Sequence, residues 1–191
     1  MKVFHIERDG VRGLSISESF SQQNTKSILA GVVMTNEFLI DGFVFGNSTV
    51  NGDDITDEII AMYKKLNRDD ISYILLPSAI LSMYNIVDLE KLHEVLEIPI
   101  IAASINNSSG INESIKNHFP DTYETKLKLY KSLGKRKKII LKSGNEIFIR
   151  CHGCTSEQCS ELLEKIIIHG SVPEPLRLSQ ILAKSILNNN P

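Results

Sequence analysis

The segment Val44–Leu66 changes character part-way along, and that change limits what the chain can fold into. Phe43, Phe45, Thr49 and Val50 carry the β-branched and aromatic signature of a strand, and Asn51-Gly52 is a turn dipeptide. Asp53-Asp54 then opens a stretch in which Ile55, Ile59, Met62, Tyr63 and Leu66 recur at helical spacing. A strand therefore hands over to an amphipathic helix, Asp54 to Asn67, across a turn with two acids at its mouth.

Ahead of this junction the pattern is strand-like. Val3, Phe4 and Ile6 read as a short strand or arm ending at Asp9-Gly10, and Val11 to Ser17 alternates so that Leu14, Ile16 and Glu18 share one face while Ser17 points the other way. Ser27 to Thr35 is a nearly continuous apolar run, typical of a strand covered on both faces, and Leu39 to Val50 returns beside it. Strands joined this tightly form an antiparallel meander.

Beyond the junction helices and strands alternate. Ile71 to Leu76 is a buried strand stopped by Pro77-Ser78, Asn85 to Leu96 a helix with Asp88 as its N-cap, and Pro99 to Ser104 a further strand. Helices follow at Ile111 to His118 and Thr122 to Leu133, with Gly134 as a stop. Lys137 to Leu141 and Glu146 to Cys151 read as a hairpin, Thr155 and Gln158 as a capping box, and Leu176 to Leu187 as the last helix. The expected fold class is α/β, ribonuclease H-like: a mixed sheet in which a three-strand meander precedes alternating helices and strands, with flanking helices. At 191 residues the chain is expected to be a single domain, 1–191.

Composition, with 42% hydrophobic and 23% charged residues, suits an ordinary globular protein. The amino-terminal MKVFHIERDG lacks an apolar core and no run is long enough to span a bilayer, so the reading is cytoplasmic, with no membrane partner. A homodimer is compatible with this composition.

Three groups could carry chemistry. Asp53 and Asp54, with Glu18 from the first strand, could hold a divalent cation; the plainer role of the two aspartates is to cap a helix at the positive end of its dipole. Lys126 to Lys142 holds eight basic residues and no acid, and Lys135, Arg136, Lys137, Lys138 and Lys142 could track phosphates or simply guard a sheet edge. Cys151, His152, Cys154 and Cys159 have the look of zinc ligands, but a second, well-separated ligand pair is missing and Cys159 occupies an inward helix position suited to a small apolar residue. No zinc is expected.

Val32-Val33-Met34, Thr49 to Asp54, Asn85 to Asp88, His118 to Asp121 and above all Val172-Pro173-Glu174-Pro175-Leu176-Arg177 resemble, in order and over most of the chain, a small archaeal family. It is catalogued as domain of unknown function ninety-nine and includes proteins described as endonuclease dU. The family is similar to endonuclease V, and the resemblance implies a ribonuclease H-like fold, Mg²⁺ or Mn²⁺, and cleavage of DNA at deoxyuridine. It also implies acids where this chain has Ser17 and Pro77. The resemblance therefore points to Asp54, Asp53 and Glu18 as the remaining catalytic and metal-binding set. A member that keeps the fold and binds nucleic acid without catalysis is the alternative, and an oligomer with a small-molecule site a third.

Overall fold

The computed structural model describes residues 6, 8, 10–21, 23–108 and 110–189. Strands β1 (Arg12–Ser19), β2 (Lys26–Thr35) and β3 (Ile40–Thr49) form the expected antiparallel meander. The chain then enters helix α1 (Ile55–Leu66) and returns as β4 (Ile71–Leu76), which lies parallel to β1. A small two-stranded hairpin, β5 (Ile80–Leu81) and β6 (Asn85–Ile86), precedes α2 (Leu89–Leu96) and β7 (Ile100–Ser104), parallel to β4.

Helices α3 (Asn112–His118) and α4 (Tyr123–Ser132) lead to the antiparallel pair β8 (Lys137–Ile140) and β9 (Glu146–His152). The chain ends with α5 (Ser156–Ile166) and α6 (Glu174–Asn189). The seven long strands make one sheet in the order β3-β2-β1-β4-β7-β9-β8, the mixed arrangement that the element order led to expect.

Local chemistry explains most boundaries. Asp88 accepts a hydrogen bond from the Lys91 amide (3.0 Å) and starts α2, while Thr155 and Gln158 close the expected capping box at α5. The helix expected from Asn85 begins three residues after Ile86, because Asn85 and Ile86 pair with Leu81 and Ile80 instead. That pairing is a tight two-residue-strand hairpin, which helical periodicity does not register. Of the expected amino-terminal arm, Val3, Phe4 and Asp9 lie outside the described residues; Ile6 is buried against the α5 side of the sheet.

Strict alternation divides the core in two. Leu14, Ile16, Ile74, Leu76, Ile100 and Ala102 face α1 and α2, whereas Tyr73, Leu75, Ile101, Ala103 and Ile149 face the other way, toward α5 and α6. Truncating a fully buried member such as Ile16 to Ala would cost about 2–5 kcal/mol. The parallel strands β1, β4 and β7 end on one edge, at Ser17–Ser19, Pro77-Ser78 and Ser104–Asn106. In open α/β sheets that edge is where ligands bind.

Candidate nucleic-acid interface

Each of the three candidate carboxylates is held by the protein's own donors. Glu18, on the α1 side of β1, accepts through Oε2 from the Ser82 amide and hydroxyl (both 2.5 Å) and from the Ser27 hydroxyl (3.0 Å). Ser82 also shares a hydrogen bond with Ser48 (2.8 Å), and its carbonyl accepts from Asn51 (2.8 Å), so Glu18 fastens the tip of the β5–β6 hairpin over the β3–α1 junction. Asp54 accepts from the Thr49 amide (3.0 Å), the Thr49 hydroxyl (2.6 Å) and Asn85 Nδ2 (2.6 Å). Burial pushes the Asp54 carboxyl up, but these hydrogen bonds outweigh it and hold the group below its ordinary value.

Asp53 turns outward to a different partner. Lys126 Nζ, on α4, donates to Asp53 Oδ1 (2.5 Å), to the Gly52 carbonyl (2.7 Å) and more weakly to the Tyr84 carbonyl (3.3 Å), and lies 4.8 Å from the centre of the Phe119 ring. Among the described residues no three Asp, Glu or His side chains converge within coordinating reach of one another.

The two positions where the resemblance would place acids are occupied differently. Ser17 is fully buried beneath α6; its hydroxyl lies 2.7 Å from the Ser179 hydroxyl and 3.3 Å from the Leu176 carbonyl. Pro77 lines a mostly apolar groove of about 420 Å³ with Ile105, Val172, Leu176, Arg177 and Ile181.

A groove of mixed polar and apolar lining opens on the α4 side of the same strand edge. Its inner part, about 120 Å³, is lined by Ser78, Ser104, Asn106, Tyr130, Phe148 and Arg150, among others. Its outer part, about 510 Å³, adds Asn112, Lys131 and Lys135, with Arg136 bordering both. The arginines are set in place by aromatic faces and carbonyls. The Arg136 guanidinium lies 5.3 Å from the Phe148 ring and donates to the Asn106 (2.9 Å) and Ser108 (2.6 Å) carbonyls. That of Arg150 lies 5.7 Å from the Tyr130 ring and donates to Gly134 O (3.1 Å). Burial lowers the Arg150 pKa, with Tyr130 opposing.

The structure thus divides the basic run. Lys135 and Arg136 border the groove, whereas Lys138 pairs with Glu146, Lys137 lies opposite Ile149 on the other face of the hairpin, and Lys142 lies beyond the end of β8. Sequence reading missed Arg150 and Tyr130. The signal was present in β9, where Phe148 and Arg150 alternate with the buried Ile147 and Ile149.

Residues 9–187 match the endonuclease dU family. The chain belongs to that family. Among relatives, a UPF0215 protein of Pyrobaculum calidifontis is 29% identical over 174 residues, covering 91% of this chain and 95% of the relative. The crystal structure of a protein of unknown function from Archaeoglobus fulgidus superimposes with a TM-score of 0.79 at 26% identity, covering 94% of this chain and 99% of that one. Ciona intestinalis endonuclease V, in complex with a 24mer DNA containing an inosine followed by a ribo-adenosine, gives a TM-score of 0.62 at 14% identity, covering 94% and 86%. The fold is ribonuclease H-like, as in endonuclease V.

Membership of the endonuclease dU family suggests a divalent metal in general. Mg²⁺ needs near-octahedral oxygen ligation, and two such ions need several uncommitted carboxylates. Here Ser17 and Pro77 offer no anionic oxygen, Asp53 faces a lysine, and Glu18 Oε2 and both Asp54 oxygens accept internal N–H and O–H donors. The oxygen donors present do not fit such an ion. Among the described residues no helix is long and apolar enough to cross a membrane.

Proposed function

We propose that this member of the endonuclease dU family is a DNA-binding protein that engages deoxyuridine-containing strands through the Arg136–Arg150 groove and does not cleave them by carboxylate-held metal. The observation that carries this reading is the groove itself: two guanidiniums fixed over aromatic rings at the carboxyl ends of parallel strands, with Lys131 and Lys135 at the outer rim. The rim lysines are placed to meet phosphates, and Tyr130 and Phe148 to flank a base turned out of its stack. Ser104 and Asn106 supply polar groups for its edge. Glu18 and Asp54, in this reading, hold the hairpin that walls the cleft. The whole chain acts as one domain, in the cytoplasm.

Fluorescence anisotropy with single-stranded DNA carrying one deoxyuridine tests this, against a thymidine control. If the groove neutralises two to four phosphates, log K falls against log salt with a slope of about −1.5 to −3. Arg136→Gln together with Lys135→Gln flattens that slope and weakens binding. Affinity indifferent to both salt and these substitutions would refute the groove, and Mg²⁺-dependent incision abolished by Asp54→Asn would refute the assignment of that acid to structure.

A further inference from the structure

On the opposite face of the sheet, and at its opposite edge, three thiols meet. Cys151 is the penultimate residue of β9, Cys154 closes the tight Cys-His-Gly-Cys turn, and Cys159 stands in the first turn of α5; their sulfurs all lie within 4.8 Å of one another. The Cys154 and Cys159 sulfurs are 3.5 Å apart, and all three residues are free thiols. A disulfide needs about 2.05 Å between sulfurs. Thiolates held at about 2.3 Å from a tetrahedral Zn²⁺ stand roughly 3.8 Å from one another, which is the spacing regime seen here.

We infer that Cys151, Cys154 and Cys159 form a binding site for one thiophilic divalent cation of the Zn²⁺ class, with the fourth position left to solvent. The expectation of no zinc rested on the missing second ligand pair and on the inward helix position of Cys159. Tertiary structure supplies the third ligand in another way, because the cap at Thr155 turns α5 back so that Cys159 sits beneath the turn.

The turn is rigid. Gly153 has φ +76°, and a Cβ there would come within 2.3 Å of the His93 ring, itself fixed by a 2.8 Å contact between Nδ1 and the Ile98 carbonyl. Cys159 is fully buried while Cys151 and Cys154 are half-buried, so an ion reaches the site from one side only. The start of α5 adds the positive end of a helix dipole beside the sulfurs. Three thiolates this close repel one another unless a cation lies among them. An entering M²⁺ forms three M–S bonds, and the thiols that still carry protons release them to solvent.

The site shares no residue with the groove and does not depend on its function. The test uses the reduced, chelator-treated full-length protein, titrated with Co²⁺. One equivalent should give the intense sulfur-to-cobalt charge-transfer absorption of a tetrahedral thiolate site, bleached by Zn²⁺ and lost in Cys154→Ser. Cys151→Ser, at a half-buried position, provides the same comparison should Cys154→Ser not fold, and Asp54→Asn should keep the absorption. Absence of a charge-transfer band in the folded wild-type protein, or its persistence in both serine variants, would overturn the site.

Discussion

Lys126 is the charged residue whose surroundings most clearly set a measurable outcome. Its side chain is 4% exposed, whereas that of its partner Asp53 is 76% exposed, so the two ends of this ion pair live in different media. Replacing Lys126 with Met keeps the apolar stem that packs inside α4 but removes donors to the Gly52 and Tyr84 carbonyls and to Asp53, and the cation over Phe119. Hydrogen bonds to a charged group contribute about 1.5–3 kcal/mol, and part-buried carbonyls left unpaired add to the loss. The expected cost of Lys126→Met is about 2–3 kcal/mol, or roughly 4–12 °C in thermal midpoint for a chain of this size. Asp53→Asn should cost under about 1 kcal/mol, because the exposed carboxylate exchanges a screened contact for water. Far-UV circular dichroism followed through urea and thermal unfolding measures both, and suits a chain without Trp. Equal losses in the two variants would mean that the pair itself, and not the lysine's carbonyl contacts, stabilises the β3–α1 junction, and the reasoning would fail.

Two further outcomes follow from the carboxylate geometry. Asp54 has a folded pKa below its ordinary value of 3.8, so its stabilising contribution is complete above that value and is lost as pH falls through the lower folded value. Wild type and Asp54→Asn should therefore differ in urea midpoint near neutral pH and converge only as pH falls below 3.8; a difference constant with pH would contradict the assignment. Restoring an acid with Ser17→Asp should not create a metal site but place a carboxylate against the Leu176 carbonyl and Ser179 beneath α6. Desolvation there raises the folded pKa above the unfolded one, so the charge-dependent part of the penalty is smallest at acid pH and grows by about 3–5 kcal/mol toward pH 8, read as a falling thermal midpoint.

What the sequence determined by itself is the architecture. The unbroken apolar run of β2, the alternation of Leu14, Ile16 and Glu18 in β1, and the Asn-Gly turn into α1 are local patterns, and local patterns suffice to order the elements of a ribonuclease H-like sheet. The Pro-Glu-Pro-Leu-Arg segment and its companion motifs carried the family. Tertiary structure alone decided what the polar side chains do. A carboxylate's role depends on which donors reach it: Ser82 reaches Glu18 across 64 residues and Lys126 reaches Asp53 across 73, distances along the chain that no periodicity encodes. The same holds for the basic run, which the cross-strand pairing of the hairpin divides, and for the three thiols, which a left-handed glycine and a capped helix bring to one point. Backbone pattern is written in neighbours along the chain, whereas charge, metal affinity and recognition are set by neighbours in space.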